Sequence, residues 1–321
     1  MPGYGEDPEW SDIVPLPQDD GGPNPLAAIA YSDEYSEAMS YLRAVMAKNE
    51  FSERVLRLTE DIIDMNPAHY TVWLYRAKAL FTLHKDLRKE FDWLNPFALR
   101  HLKNYQIWHH RHTIIEALAS DLDEKSPKID NMIREEQDFL DRMFTKDAKN
   151  YHVWSYRQWL VERFNLWDCE EEREAVDDLL RKDVRNNSAW NHRYYVVFGR
   201  PNAPKNTTEG HVLMQREINY AEAAIRIAPQ NQSPWNYIRG ILSHFQQPLS
   251  NIKSLASEFA SLEKPDEVKS SHALDLLAEI YKEERQLDCA GKAWDLLAQK
   301  YDPIRSRYWM WKKEQLGTAA A

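Results

Sequence analysis

From Tyr31 onward the apolar positions of the chain recur at helical spacing. Val55, Leu58, Ile62 and Met65 share one face of a helix that Asn66-Pro67 would end. The same grammar returns at Met132-Ile133, Phe139-Leu140 and Met143, and again at Val176, Leu179-Leu180 and Val184. Each apolar stretch is followed by a short turn and a second helix bearing a tryptophan, so the unit is a hairpin of helix A and helix B. No alternating strand pattern stands out. Pro96, after Trp93-Leu94, predicts an early end or a kink in the second helix A. Gly199–Gly210, with Asn202, Pro204 and Asn206, is the clearest internal loop. Helical patterns persist over 250–263, 270–286 and 288–300, and Tyr308-Trp309-Met310-Trp311 resembles a worn terminal unit. Residues 1–30 carry six of the 16 prolines and four of the nine glycines, too little apolar surface to offset ordering, and predict a flexible tail. The helical-repeat domain is then 31–321.

The tryptophans stand in one repeating frame. Trp73, Trp108, Trp154, Trp190 and Trp235 are separated by 35, 46, 36 and 45 residues. An Arg follows three residues after the first four, as Arg76, Arg111, Arg157 and Arg193, while the fifth copy has Ile238 and then Arg239. Periods of this size belong to helical solenoids, whose units bury their apolar faces only by stacking. The expected fold is all-α, an α-solenoid of stacked helical hairpins.

Alignment on the tryptophans separates structural positions from variable ones. Four residues before each stands His69, Asn104, Asn150, Asn186 or Asn231. Asn is a favoured N-cap, so helix B begins there. Trp and Arg share a helix face. The Trp reads as a wedge between hairpins, with the Arg stacked beside it or bonded to a carboxylate or a backbone carbonyl. Lys103, Tyr105 and Gln106 surround the second cap and Lys149, Tyr151 and His152 the third, whereas later copies have Asn187-Ser188 and Gln232-Ser233. Stacking would set these helix N-termini in a row, where free amides and the helix dipole suit a phosphate. On the pattern alone a solvated surface lysine remains the simpler account of Lys103.

Net charge of −10 argues against a nucleic-acid binder, although local basic islands remain open. Cys169 and Cys289, the only two cysteines, exclude a disulfide framework or a Cys-rich zinc site and suit a reducing compartment. No apolar run approaches the roughly 18 residues of a membrane span, and no signal pattern opens the chain, so a cytoplasmic protein is expected. The cluster His109-His110 with His112 supplies no tetrahedral set, because neighbouring side chains fan apart around a helix; His109 and His112 read as packing or interface residues.

Lys103-Asn-Tyr-Gln-Ile-Trp-His-His-Arg111, Asp147-Ala-Lys-Asn-Tyr-His-Val-Trp154 and Asp183-Val-Arg-Asn-Asn-Ser-Ala-Trp190 resemble the repeats of the protein prenyltransferase alpha subunit family, most closely the branch shared by farnesyltransferase and geranylgeranyltransferase type I. The likeness runs over roughly residues 31–315. It implies that the all-α repeat is a right-handed α-solenoid of stacked helical hairpins forming a crescent around a catalytic beta subunit, an obligate heterodimer with no activity in the alpha chain alone. It implies transfer of farnesyl or geranylgeranyl from its diphosphate to the cysteine of C-terminal Cys-a-a-X proteins, with zinc, with or without magnesium, held by the beta subunit and no cofactor held here. It implies that Lys103 is catalytic, reaching the diphosphate, that Gln106 bonds the substrate carboxylate, and that Tyr70, Tyr105, Asn150, Tyr151 and His152 lie near isoprenoid, diphosphate or peptide. No nucleic acid and no membrane insertion are implied. The alternatives are the Rab-specific geranylgeranyltransferase alpha subunit, whose animal forms carry domains beyond the repeats, and a non-enzymatic helical-repeat scaffold.

Overall fold

The computed structural model describes residues 3–22, 26–27, 29–120, 122–123, 126–201, 205 and 207–318. Among them there is no strand, and no helix is long and apolar enough to cross a membrane. The chain divides into two compact units, residues 1–160 and 161–321.

The first unit begins with α1 (Asp33–Ala47), followed by three hairpins: α2 (Glu53–Met65) with α3 (Tyr70–Thr82), α4 (Glu90–Arg100) with α5 (Tyr105–Ser120), and α6 (Pro127–Lys146) with α7 (Tyr151–Arg163). The second holds α8 (Glu170–Lys182) with α9 (Asn187–Phe198), α10 (Thr208–Ile227) with α11 (Gln232–His244), the short α12 (Lys253–Phe259), α13 (Ser271–Glu283), α14 (Leu287–Leu296) and α15 (Ser306–Thr318). The all-α helical-repeat class expected from the sequence is the class observed. The loop between α9 and α10 also stands where the sequence puts it, although residues 202–204 and 206 lie outside the described residues.

Local chemistry sets the helix ends. Ser32 caps α1 by accepting the Tyr35 amide, and Ser126 caps α6 with Pro127 in the first turn, where its missing N–H costs nothing. Helices α1, α3, α11 and α13 stop at residues in the left-handed region: Asn49 (φ 51°), His84 (φ 49°), Gln246 (φ 54°) and Arg285 (φ 61°). The next amide in each case bonds back to the final turn, as Glu50 N–H does to the Val45 carbonyl at 2.9 Å.

Two expectations need correction. Of the early end or kink expected at Pro96, the early end does not occur: α4 runs four residues past it to Arg100. Pro96 is exposed while its neighbours Leu94 and Phe97 are fully buried, so packing of the opposite face outweighs one lost backbone bond. The N-terminal segment, read from its composition as a free tail, is anchored over its first part. Trp10 and Ile13 are buried, Tyr4 and Trp10 pack against Tyr41, and Arg54 bonds both the Glu9 carbonyl and the Asp12 carboxylate. Two aromatic side chains and a bidentate ion pair supply attachments that a count of Pro and Gly does not register. Residues 1–2, 23–25 and 28 of that tail lie outside the described residues.

Candidate functional site

The Trp-x-x-Arg frame is the joinery between hairpins. Three of the tryptophans pack on the residue two places after the next one: Trp73 on His110, Trp108 on Tyr156 and Trp190 on Tyr237, each pair with ring centroids 5.2 Å apart. The wedge reading holds.

Three of the arginines reach forward to a carboxylate, while Arg157 binds Asp141 of its own hairpin at 3.0 Å. Arg76 binds Glu90 at 2.6 and 2.9 Å, Arg111 binds Glu136 at 2.6 and 2.5 Å, and Arg193 binds Glu217 at 2.7 and 3.2 Å, each glutamate lying on helix A of the following hairpin. An aromatic ring three residues beyond each glutamate lies under the guanidinium: Trp93, Phe139 and Tyr220. These three carboxylates, and Glu172 with them, also bond a side chain on helix B of their own hairpin. His110 Nε2 lies 2.9 Å from Glu90, Tyr156 OH donates to Glu136 at 2.7 Å, His192 Nε2 lies 2.6 Å from Glu172, and Tyr237 OH donates to Glu217 at 2.7 Å. The offset is twenty residues every time. Glu90, Glu136, Glu172 and Glu217 are all buried, so each needs these partners to stay charged.

The asparagines do double work. Asn104 Oδ1 accepts the amides of Gln106 and Ile107, and Asn150 Oδ1 accepts that of His152, capping α5 and α7 as expected. Their Nδ2 groups reach back to the preceding hairpin, Asn104 to the Pro67 carbonyl and Asn150 to the Leu102 carbonyl, both at 2.7 Å. In the second unit Asn231 does the same to Val184 at 2.8 Å. The next step uses a serine: Ser270 Oγ donates to the Pro229 carbonyl and accepts the Ala273 amide. Helix α13 is thus a further helix B with Leu274 where the tryptophan would stand, a unit the sequence did not reveal.

Behind these caps Tyr105 and Tyr151 take the first position of α5 and α7, and Tyr70 takes that of α3, whose N-cap His69 makes no side-chain capping bond; the three are exposed at 60, 76 and 61%. Lys103 precedes the second cap with its side chain 73% exposed, and its Nζ is ion-paired with Asp147 at the end of α6. His152, half-buried, sits edge-on to Tyr151. Gln106 is buried one step inside this edge. Two site expectations change. Asn150 is fully buried with its amide committed at both ends, so it holds the edge in place rather than offering a group to a ligand. The Gln106 and Ile107 amides are taken by Asn104, so an anion at α5 would rely on Lys103 rather than on those donors. His109 is exposed, and the His112 ring packs 4.0 Å from Trp159. Among the described residues no group of three or more His, Cys, Asp or Glu side chains is placed to hold a metal ion.

Fold and edge together define a helical-repeat subunit with buried ion pairs between hairpins and, at the edge where α3, α5 and α7 begin, exposed lysine and tyrosine side chains. Residues 52–83, 87–118, 133–164, 169–199 and 214–245, the five Trp-bearing hairpins, match the protein prenyltransferase alpha subunit repeat. The protein farnesyltransferase/geranylgeranyltransferase type-1 subunit alpha of Candida albicans is 38% identical over 315 residues, 96% of this chain and 97% of its own. That of Solanum lycopersicum is 36% identical over 98% of this chain and 91% of its own. Among solved structures, Candida albicans protein geranylgeranyltransferase-I complexed with GGPP matches with a TM-score of 0.86 and 37% identity, over 95% of this chain and 98% of that one. The chain belongs to the protein prenyltransferase alpha subunit family.

Proposed function

We propose that this chain is the alpha subunit of a heterodimeric protein prenyltransferase that moves farnesyl or geranylgeranyl from its diphosphate to the cysteine of C-terminal Cys-a-a-X sequences. One observation carries the reading: in a chain of this family, the edge where α3, α5 and α7 begin bears an exposed lysine among three exposed tyrosines. An exposed ammonium on an aromatic edge suits a diphosphate joined to an apolar chain.

The substrate thiolate attacks the first isoprenoid carbon while the carbon–oxygen bond breaks and the electron pair leaves with the diphosphate. Lys103 stabilises the charge gathering on that leaving group. Tyr105, Tyr151 and His152 border the ligand, Tyr70 extends the edge, and Gln106 meets the peptide carboxylate from its place just inside. Zinc, which would activate the thiol, is assigned in this proposal to the beta subunit. With only two cysteines, a cytoplasmic setting fits.

The test is purification of the tagged chain with its partner, followed by assay with labelled farnesyl and geranylgeranyl diphosphate and a Cys-a-a-X peptide, with and without a zinc chelator. Chelator-sensitive transfer by a one-to-one complex supports the proposal. A stable, monomeric chain with no transfer would leave a non-enzymatic scaffold.

A further inference from the structure

The ammonium assigned to the diphosphate is already engaged. Lys103 Nζ pairs with the Asp147 carboxylate of the next hairpin, and the two partners are held very differently. Asp147 closes α6 through its own amide, which bonds the Met143 carbonyl, and its Oδ1 accepts the Lys149 amide at 3.2 Å. Its side chain is 25% exposed against 73% for Lys103. The carboxylate is therefore fixed, and the lysine on its four-carbon stem is the partner able to move. The Lys103 ammonium also holds the Asp147 carboxyl below its ordinary range, so the pair stays charged near neutral pH.

The turn itself does not need that charge. Asn66 stands in the same register of the first hairpin, seven residues before its tryptophan as Asp147 is before Trp154. Its Oδ1 accepts the Ala68 amide just as Asp147 accepts that of Lys149. A neutral amide suffices for the turn. What the carboxylate adds at position 147 is a negative charge facing Lys103.

We propose that Asp147 is a positioning residue acting through Lys103: a built-in counter-ion that parks the ammonium, yields it to an incoming isoprenoid diphosphate, and takes it back when the diphosphate departs. The inference rests on the reading of Lys103 as the diphosphate contact. The exchange is shallow because an exposed pair is worth little in water. A buried pair such as Arg111–Glu136, with side chains 1 and 4% exposed, could not make it. In this arrangement Asp147 weakens ground-state binding of the polyanion and eases its release.

The experiment uses the assembled heterodimer in four forms: wild type, Asp147→Asn, Lys103→Ala and the double variant. Equilibrium affinity is measured for farnesyl or geranylgeranyl diphosphate, whichever the enzyme transfers, and for inorganic pyrophosphate as a product-side probe. Asp147→Asn, which keeps the turn acceptor, is expected to tighten both ligands by about two- to fivefold, the scale of an exposed ion pair. Asp147→Glu, which keeps the charge, is expected to stay nearer wild type. On the Lys103→Ala background the Asp147→Asn effect is expected to vanish. Unchanged or weaker binding in Asp147→Asn would overturn the proposal. So would tightening of the same size without Lys103, which would mark a general field effect, or a loss of thermal stability with no change toward pyrophosphate, which would mark a fastener between hairpins. If Lys103→Ala itself alters neither affinity nor transfer rate, the reading of Lys103 fails first and the inference with it.

Discussion

Arg76 and Glu90 form a two-pronged ion pair across neighbouring hairpins, at 2.6 and 2.9 Å, with side chains only 5 and 3% exposed. Both charges have left water, so their stability rests on each other and on His110, which shares the carboxylate. Removing one partner strands the other. Glu90→Ala is expected to cost about 3–5 kcal/mol, whereas replacing both residues with apolar side chains of similar volume should cost far less. Urea unfolding followed by tryptophan fluorescence distinguishes the two; equal losses would show that the pair is held for its shape and not its charge.

Asn150 does two jobs that substitution can separate. Asn150→Asp keeps a side-chain acceptor for the His152 amide but loses the donor to the Leu102 carbonyl, and Asn150→Ala loses both. Alanine is expected to cost about 2–4 kcal/mol, the sum of a lost cap and a stranded buried carbonyl. Aspartate is expected to recover about 1 kcal/mol of it. The unfolding midpoints of the three forms measure this.

The tryptophan wedges and the asparagine caps were legible because Trp is rare and Asn has one strong local use. The buried glutamates were not. Glu90, Glu136, Glu172 and Glu217 are four acids among 51 Asp and Glu, on helices whose outer faces are acidic anyway. The signal available was their constant offset of twenty residues from His110, Tyr156, His192 and Tyr237. The unit at α13 was hidden because Ser270 and Leu274 replace the two residues that define the frame, while keeping the same bonds and burial. At the edge, Lys103 and the tyrosines could be named from sequence. That Asp147 holds the lysine could not, because 44 residues separate them.

Acid should loosen the second hairpin. Burial pushes the His110 imidazole below its usual 6.5 despite its bond to Glu90, with Arg76 and His109 adding to the depression. Burial pushes the Glu90 carboxyl up, but His110 and Arg76 together hold it below its ordinary value. A depressed histidine takes up a proton more readily when unfolded, so stability is lost as pH falls below about 6.5; the glutamate adds a further loss at lower pH, where it too is protonated. His110→Tyr, which installs the side chain used by the third and fifth hairpins, is expected to flatten the slope between pH 6.5 and 5. Thermal midpoints across that range check it, and an unchanged slope would place the acid sensitivity elsewhere.

The N-terminal clasp should come away separately from the repeats. Trp10 is 4% exposed and lies over Tyr41, with Arg54 above its ring. Trp10→Ala is expected to make residues 3–18 cleavable at least about tenfold faster in limited proteolysis, since a docked terminal segment opens at low cost once its anchor is gone. The main unfolding transition should move little. A large drop in that transition would instead make the segment part of the first unit's core.

The central claim is that the exposed lysine at the edge of α5 serves a leaving diphosphate, and single-turnover transfer by the Lys103→Ala heterodimer tests it most directly. Lys103→Ala is predicted to slow the chemical step by about tenfold or more while isoprenoid diphosphate binding changes less, because the contact strengthens as charge builds on the leaving group. A single-turnover rate within about twofold of wild type would contradict the account and return Lys103 to a solvated surface lysine.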